Sequence, residues 1–145
     1  MNLEGIIAIT GKTGLFKVIS QGNNAVIVEN LTDKKRMPIT ARHQANALAE
    51  IGIYTFEDTK PLSEIFDIIA KKENAKQSIS HRADKEDLIK YFEDILPNYD
   101  VERVYISDIK KVIQWYNTMQ AAGLIKLAQT KKKTTRKKTI TKKEN

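Results

Sequence analysis

The chain has 145 residues, of which 25 are Lys or Arg and 18 are Asp or Glu, giving a net charge of +7. It has no cysteine, which excludes disulfides, thiol nucleophiles and cysteine-based zinc sites. No apolar run approaches the ~20 residues that span a bilayer, and the N-terminal apolar stretch Gly5–Ile9 follows Glu4 rather than a basic flank. The chain therefore reads as soluble, cytoplasmic and without a membrane partner.

Residues 1–56 read as a small β domain. Gly5–Thr10, Leu15–Ser20, Ala25–Glu29 and Arg36–Ile39 are short β-rich runs separated by Gly, Asn and Asp clusters, the pattern of a hairpin meander. Pro38 places the fourth run at an edge or a bulge. Thr40 is positioned to cap a short helix carrying Ala45, Leu48 and Ala49, and Ile51–Phe56 reads as a closing strand. So many short strands in so short a segment predict an SH3-like β-barrel.

Residues 57–125 read as a three-helix domain. Leu62, Ile65, Phe66 and Ile69 form the first helical stripe, after Pro61 in the opening turn. Glu73–Arg82 is a polar loop. Asp84 is placed to cap the second helix, whose stripe is Leu88, Tyr91, Phe92 and Ile95 and which Pro97 stops. Val101–Ile106 reads as a short extended piece. Ser107 is placed to cap the third helix, with Ile109, Val112, Ile113, Tyr116 and Met119 on one face. Gly123 ends it, and Leu124 is spaced to close on Met119 in a Schellman motif. The fold class expected is α+β, with a disordered Lys/Thr-rich tail at 126–145.

That tail carries the excess charge. Residues 126–145 hold nine Lys or Arg against one Glu, which leaves 16 basic against 17 acidic residues in 1–125. Lys131, Lys132, Lys133, Arg136, Lys137, Lys138, Lys142 and Lys143 fall within thirteen residues. Such a segment binds phosphates electrostatically, positioning a protein without reading bases. With about six of these on DNA phosphates, the log–log salt slope is roughly −5. Nucleic acid or a ribonucleoprotein is the partner expected. Lys110, Lys111 and Trp115 on the third helix are accessory contacts, Trp115 lying one residue off the main stripe. With the turn before it, this helix could mimic a helix-turn-helix reader, offering Lys110, Lys111, Gln114 and Asn117. The competing reading is a protein-interaction scaffold whose tail is only solubilising.

No reaction is legible. Thr10-Gly11-Lys12-Thr13 ends like a phosphate-binding loop, but the required earlier glycine is Ile6, and a strand rather than a helix follows. His43 and His81 stand apart from any metal-ligand spacing, and the adjacent carboxylates at Glu57-Asp58, Glu86-Asp87 and Glu93-Asp94 point to solvated faces. The expectation is a non-enzymatic protein with no cofactor and no metal.

Three strings carry a family resemblance: LEGIIAITGKTGLFKVI (3–19), LAEIGIYTFEDTKPLSEIF (48–66) and LPNYDVERVYISDIKKVIQWYNTMQAAGL (96–124). Together they resemble a family of short uncharacterised Bacteroidota proteins. The resemblance implies an N-terminal domain of unknown function joined to a helical domain of unknown function, with a Lys-rich tail, and it transfers no catalytic residues.

Overall fold

The computed structural model describes residues 2–12, 14–40 and 42–125. The tail, residues 126–145, lies outside the described residues. The β-rich and helical halves occur in the expected order.

Five antiparallel strands form the main sheet: β1 (Ile6–Ile9), β2 (Phe16–Gln21), β3 (Val26–Asn30), β4 (Arg36–Ile39) and β5 (Ala45–Ala47), in the spatial order β4-β3-β2-β1-β5. Gly11, at φ 84°, turns β1 toward β2, so Gly11 and Lys12 belong to a hairpin. The β2–β3 register shifts between Val18 and Ser20, leaving Ile19 as a bulge residue. A bulge of this kind bends the sheet and increases its twist.

Two expectations are corrected here. Ala45–Ala47, read as helical, is a strand on β1, with Ile7 opposite Ala47 and Ile9 opposite Ala45. Leu48–Glu50 adds a single 3-10 turn. The segment expected to close a barrel does not do so. Its strand β6 (Gly52–Tyr54) pairs instead with β7 (Thr59–Pro61) in a separate hairpin. Thr55 makes that local solution favourable: its N–H donates to the Asp58 carbonyl at 2.7 Å, and its hydroxyl accepts the Asp58 N–H at 2.9 Å. The main sheet thus ends at β4 and β5, and no closed barrel is found among the described residues.

The helices are α1 (Leu62–Glu73), α2 (Lys85–Ile95) and α3 (Ile106–Ala121). Their predicted stripes are the buried faces, although Tyr91 is only partly buried. The caps differ in detail. Pro61 is the N-cap of α1, and Asp84 is the N-cap of α2 as expected, although its side chain makes no cap bond. Tyr105 rather than Ser107 is the N-cap of α3, its N–H donating to Asp108 Oδ2 at 3.0 Å. The Gly123 terminus forms as expected: Gly123 takes φ 77°, its N–H reaches the Gln120 carbonyl at 3.0 Å, and the Leu124 N–H reaches Met119 at 2.9 Å.

One buried cluster joins sheet and helices. Leu3, Ile6, Leu15, Leu31, Leu48 and Ile53 meet the stripes of α1, α2 and α3. Phe66 meets Tyr116 edge-on, with ring centroids 6.0 Å apart, and Phe92 meets Tyr99 at 5.0 Å. On β1, Ile6 and Ala8 belong to this cluster, while Ile7 and Ile9 join Phe16, Val28 and Ile39 in a second one on the other face. Alternating side chains of one strand thus serve two cores.

Side chains of α3 hold the long α1–α2 loop. Asn117 Oδ1 accepts the Ser78 N–H at 2.8 Å and the Ser78 hydroxyl at 2.9 Å, and its Nδ2 donates to the Ile79 carbonyl at 3.0 Å. The Tyr116 hydroxyl donates to the Lys76 carbonyl at 2.8 Å. Burial, with a smaller effect from the Glu73 charge, pushes the Tyr116 phenol up to about 12. Since Ser78 is buried, Asn117→Ala leaves its N–H unsatisfied and is expected to cost about 1–3 kcal/mol. Denaturant unfolding measures that cost, and faster amide exchange at Ser78 would place it in this loop.

The turn between α2 and α3 corrects the extended piece expected at 101–106. Val101–Arg103 form a turn. Asp100 organises it: its N–H donates to the Tyr54 carbonyl at 2.9 Å, Oδ1 accepts the Glu102 N–H at 3.0 Å, and Oδ2 accepts Arg103 Nε at 2.7 Å. The Arg103 guanidinium lies 4.3 Å from the Tyr54 ring centroid. The hydrogen bond from Arg103, with help from the backbone N–H groups, holds the Asp100 carboxyl below its ordinary value. A depressed carboxylate stabilises the fold above its unfolded-state value, and that contribution fades as pH falls through the folded-state value. The loss therefore lies below about pH 4. Asp100→Asn is expected to lower Tm at neutral pH and to flatten the acid side of the Tm–pH curve. Parallel curves for the two chains would remove Asp100 from the acid response.

Candidate nucleic-acid interface

The accessory residues expected from the sequence lie off the buried stripe of α3. Lys110 and Lys111 are exposed, and Trp115 is partly buried where it packs against the main core. The eight tail cations, Lys131, Lys132, Lys133, Arg136, Lys137, Lys138, Lys142 and Lys143, lie outside the described residues. The chain leaves the described region at Ile125, just beyond the C-terminal end of α3.

Three clefts border this face. A cleft of about 310 Å³ runs between α3 and β6, with Tyr54, Arg103, Asp108, Lys111 and Trp115 in its walls. A second, of about 420 Å³, lies between α3 and the β1–β2 turn and includes Lys12, Asn46, Lys111, Gln114 and Trp115. The third, of about 380 Å³, lies between α3 and the α1–α2 loop and includes His81, Arg82, Gln114 and Asn117. Lys111, Trp115 and Asn46 are common to the first two, and Gln114 to the second and third. The clefts therefore adjoin one another around α3.

A few basic residues of the described region form ion pairs. Arg36 pairs with Glu29 at 3.3 Å. Lys72 pairs with Asp94 and lies over the Tyr91 ring, 5.5 Å from its centroid. Lys60 pairs with Glu64 at 3.8 Å. Lys12, Arg82, Lys110 and Lys111 form no ion pair among the described residues. Burial, aided by the charges of Arg82 and Lys110, holds the His81 imidazole below its ordinary value. His81 is thus neutral at pH 7, in a locally positive field. His43 has a structural task, its Nδ1 accepting the Thr40 N–H at 3.0 Å. No group of three or more His, Asp or Glu able to hold a metal occurs among the described residues.

The helix-turn-helix reading needs one correction. Asn117, taken as a base reader, has its amide committed to Ser78 and Ile79. Sequence reasoning did not find Lys12, Asn46 and Arg82 as neighbours of this face, because strand pairing and loop packing bring them there.

The sequence matches two family models, a Domain of unknown function (DUF5606) over residues 3–48 and a Domain of unknown function (DUF6852) over residues 51–119. It also resembles a structural-genomics target from Bacteroides vulgatus, solved in solution by NMR. The two are 43% identical, with a TM-score of 0.71 over 87% of this chain and 91% of that one. No curated protein matches significantly. The chain belongs to the Bacteroidota family defined by this pair of domains. No helix among the described residues is long and apolar enough to cross a membrane.

Proposed function

We propose that the protein is a non-enzymatic cytosolic accessory factor that captures nucleic acid or ribonucleoprotein electrostatically. The tail supplies most of the affinity, and the face of α3 around Lys110, Lys111 and Trp115 supplies accessory contacts. Charge segregation carries this reading: nine cations sit in the last twenty residues of a chain whose other residues nearly balance. The cations beside α3 that lack carboxylate partners among the described residues support the same surface. Polyanions are attracted to such arrays through counterion release. Tail contacts of this kind carry no base information, so binding is mostly nonspecific.

The test is the salt dependence of RNA and DNA binding by the full-length protein. A steep linear loss of log affinity with log salt supports the proposal, and absence of binding at low ionic strength overturns it.

A protein-interaction scaffold is the second reading. It is favoured by three exposed aromatic residues near the α2–α3 turn: Tyr54, Phe56 and Tyr105, which are 47%, 64% and 65% exposed. Aromatic side chains of this kind anchor protein interfaces. A partner captured by this surface would survive nuclease treatment and neutralisation of the tail.

A further inference from the structure

Trp115 is the single tryptophan of the chain, and it stands between two clefts that share Asn46 and Lys111 as well. The larger cleft combines an indole, two side-chain amides (Asn46 and Gln114) and two cations (Lys12 and Lys111). No carboxylate lines it among the described residues. Each amide offers both a donor and an acceptor, which suits a base edge. The smaller cleft holds one carboxylate, Asp108, which accepts the Tyr105 N–H at 3.0 Å. On its far side Arg103 stacks on Tyr54. Both volumes, about 310 and 420 Å³, fall in the range of small-ligand sites.

We infer that these adjoining clefts take unpaired bases of a single-stranded nucleic acid passing Trp115, with Lys12 and Lys111 on the flanking phosphates. The inference rests on the polyanion reading above and adds a preference the tail cannot supply. A cationic tail attracts any phosphate backbone. An aromatic side chain stacks with a base only when that base is free of its own helix. Asn46, Gln114 and Trp115 come from strand β5 and helix α3, so the fold itself brings them together.

Trp115 is its own reporter. The full-length protein is titrated with an oligouridylate and, separately, with an RNA duplex of the same strand length. Anisotropy of a label on the RNA gives binding, and indole emission gives occupancy of the clefts. Both RNAs are expected to bind at low salt, but only the single strand to quench emission, and to bind about tenfold tighter. Trp115→Leu should bring single-strand affinity down to that of the duplex and leave duplex affinity in place. Lys111→Gln keeps the indole, and it should weaken single-strand binding severalfold and shift the quenching curve in step. That variant and the unmodified chain keep the test informative if Trp115→Leu fails to fold. Unchanged emission while anisotropy reports bound single strand overturns the inference, as does equal quenching by the duplex. Failure of both RNAs to bind overturns the underlying polyanion reading instead.

Discussion

Phe66→Ala is expected to destabilise the whole protein by about 3–5 kcal/mol, with sheet and helix signals lost in one transition. Phe66 is fully buried on α1 and meets the Tyr116 ring of α3 edge-on. It lies in the cluster that also contains Leu3, Ile6, Leu15 and Leu31 from the β-rich half. Removing its ring leaves a cavity at the α1–α3 contact that the surrounding side chains refill only in part. Circular dichroism would follow the helices during denaturant unfolding. Amide exchange at Val28, buried on β3, would follow the strands. Val28 lies in the second cluster, so a variant whose helices melt while Val28 stays fully protected would contradict one cooperative transition joining the two cores.

Neutralising the tail should have the largest effect on binding. The full-length chain would carry Gln at Lys131, Lys132, Lys133, Arg136, Lys137, Lys138, Lys142 and Lys143. Affinity for RNA or DNA at low salt is expected to fall by about a thousandfold. The salt slope should shrink from roughly −5 to the shallow value of the few contacts left beside α3. Lys110→Glu with Lys111→Glu in the native-tail protein should cost far less and leave the slope steep. Anisotropy over a salt series separates the two. If the neutralised tail left affinity and slope unchanged, capture would depend on the folded body. Thermal stability of this variant should match the parent, because a segment so rich in Lys and Thr has little apolar surface to bury.

The helical half was the more legible. Leu62, Ile65, Phe66 and Ile69, and likewise Ile109, Val112, Ile113, Tyr116 and Met119, repeat at helical spacing because each helix buries one stripe against a common core. Pro97 and Gly123 marked helix ends through backbone restrictions that act locally. The β half misled where local preference and tertiary pairing disagree. Ala45-Asn46-Ala47 has helical composition, yet β1 offers a free edge and draws it into the sheet. The barrel expectation failed because Gly52–Tyr54 finds a nearer partner in Thr59–Pro61, through the hydrogen bonds Thr55 makes with Asp58.

The candidate site divides in the same way. Its tail cations are a compositional signal and need no fold to be seen. Lys110, Lys111 and Trp115 were readable as the off-stripe positions of one helix. Lys12 and Asn46 were not readable as their neighbours, because residues 12, 46 and 115 meet only once β5 has paired with β1 and α3 has packed against the sheet. Asn117 shows the converse. It looks available in sequence, but the loop at Ser78 occupies its amide.

The two family matches meet between residues 48 and 51, beside the fully buried Leu48. The seam that recurs in sequence thus falls inside a jointly built interior, where each half leaves oily surface bare without the other. Shuffling either segment into a new gene would demand matched side chains across the join.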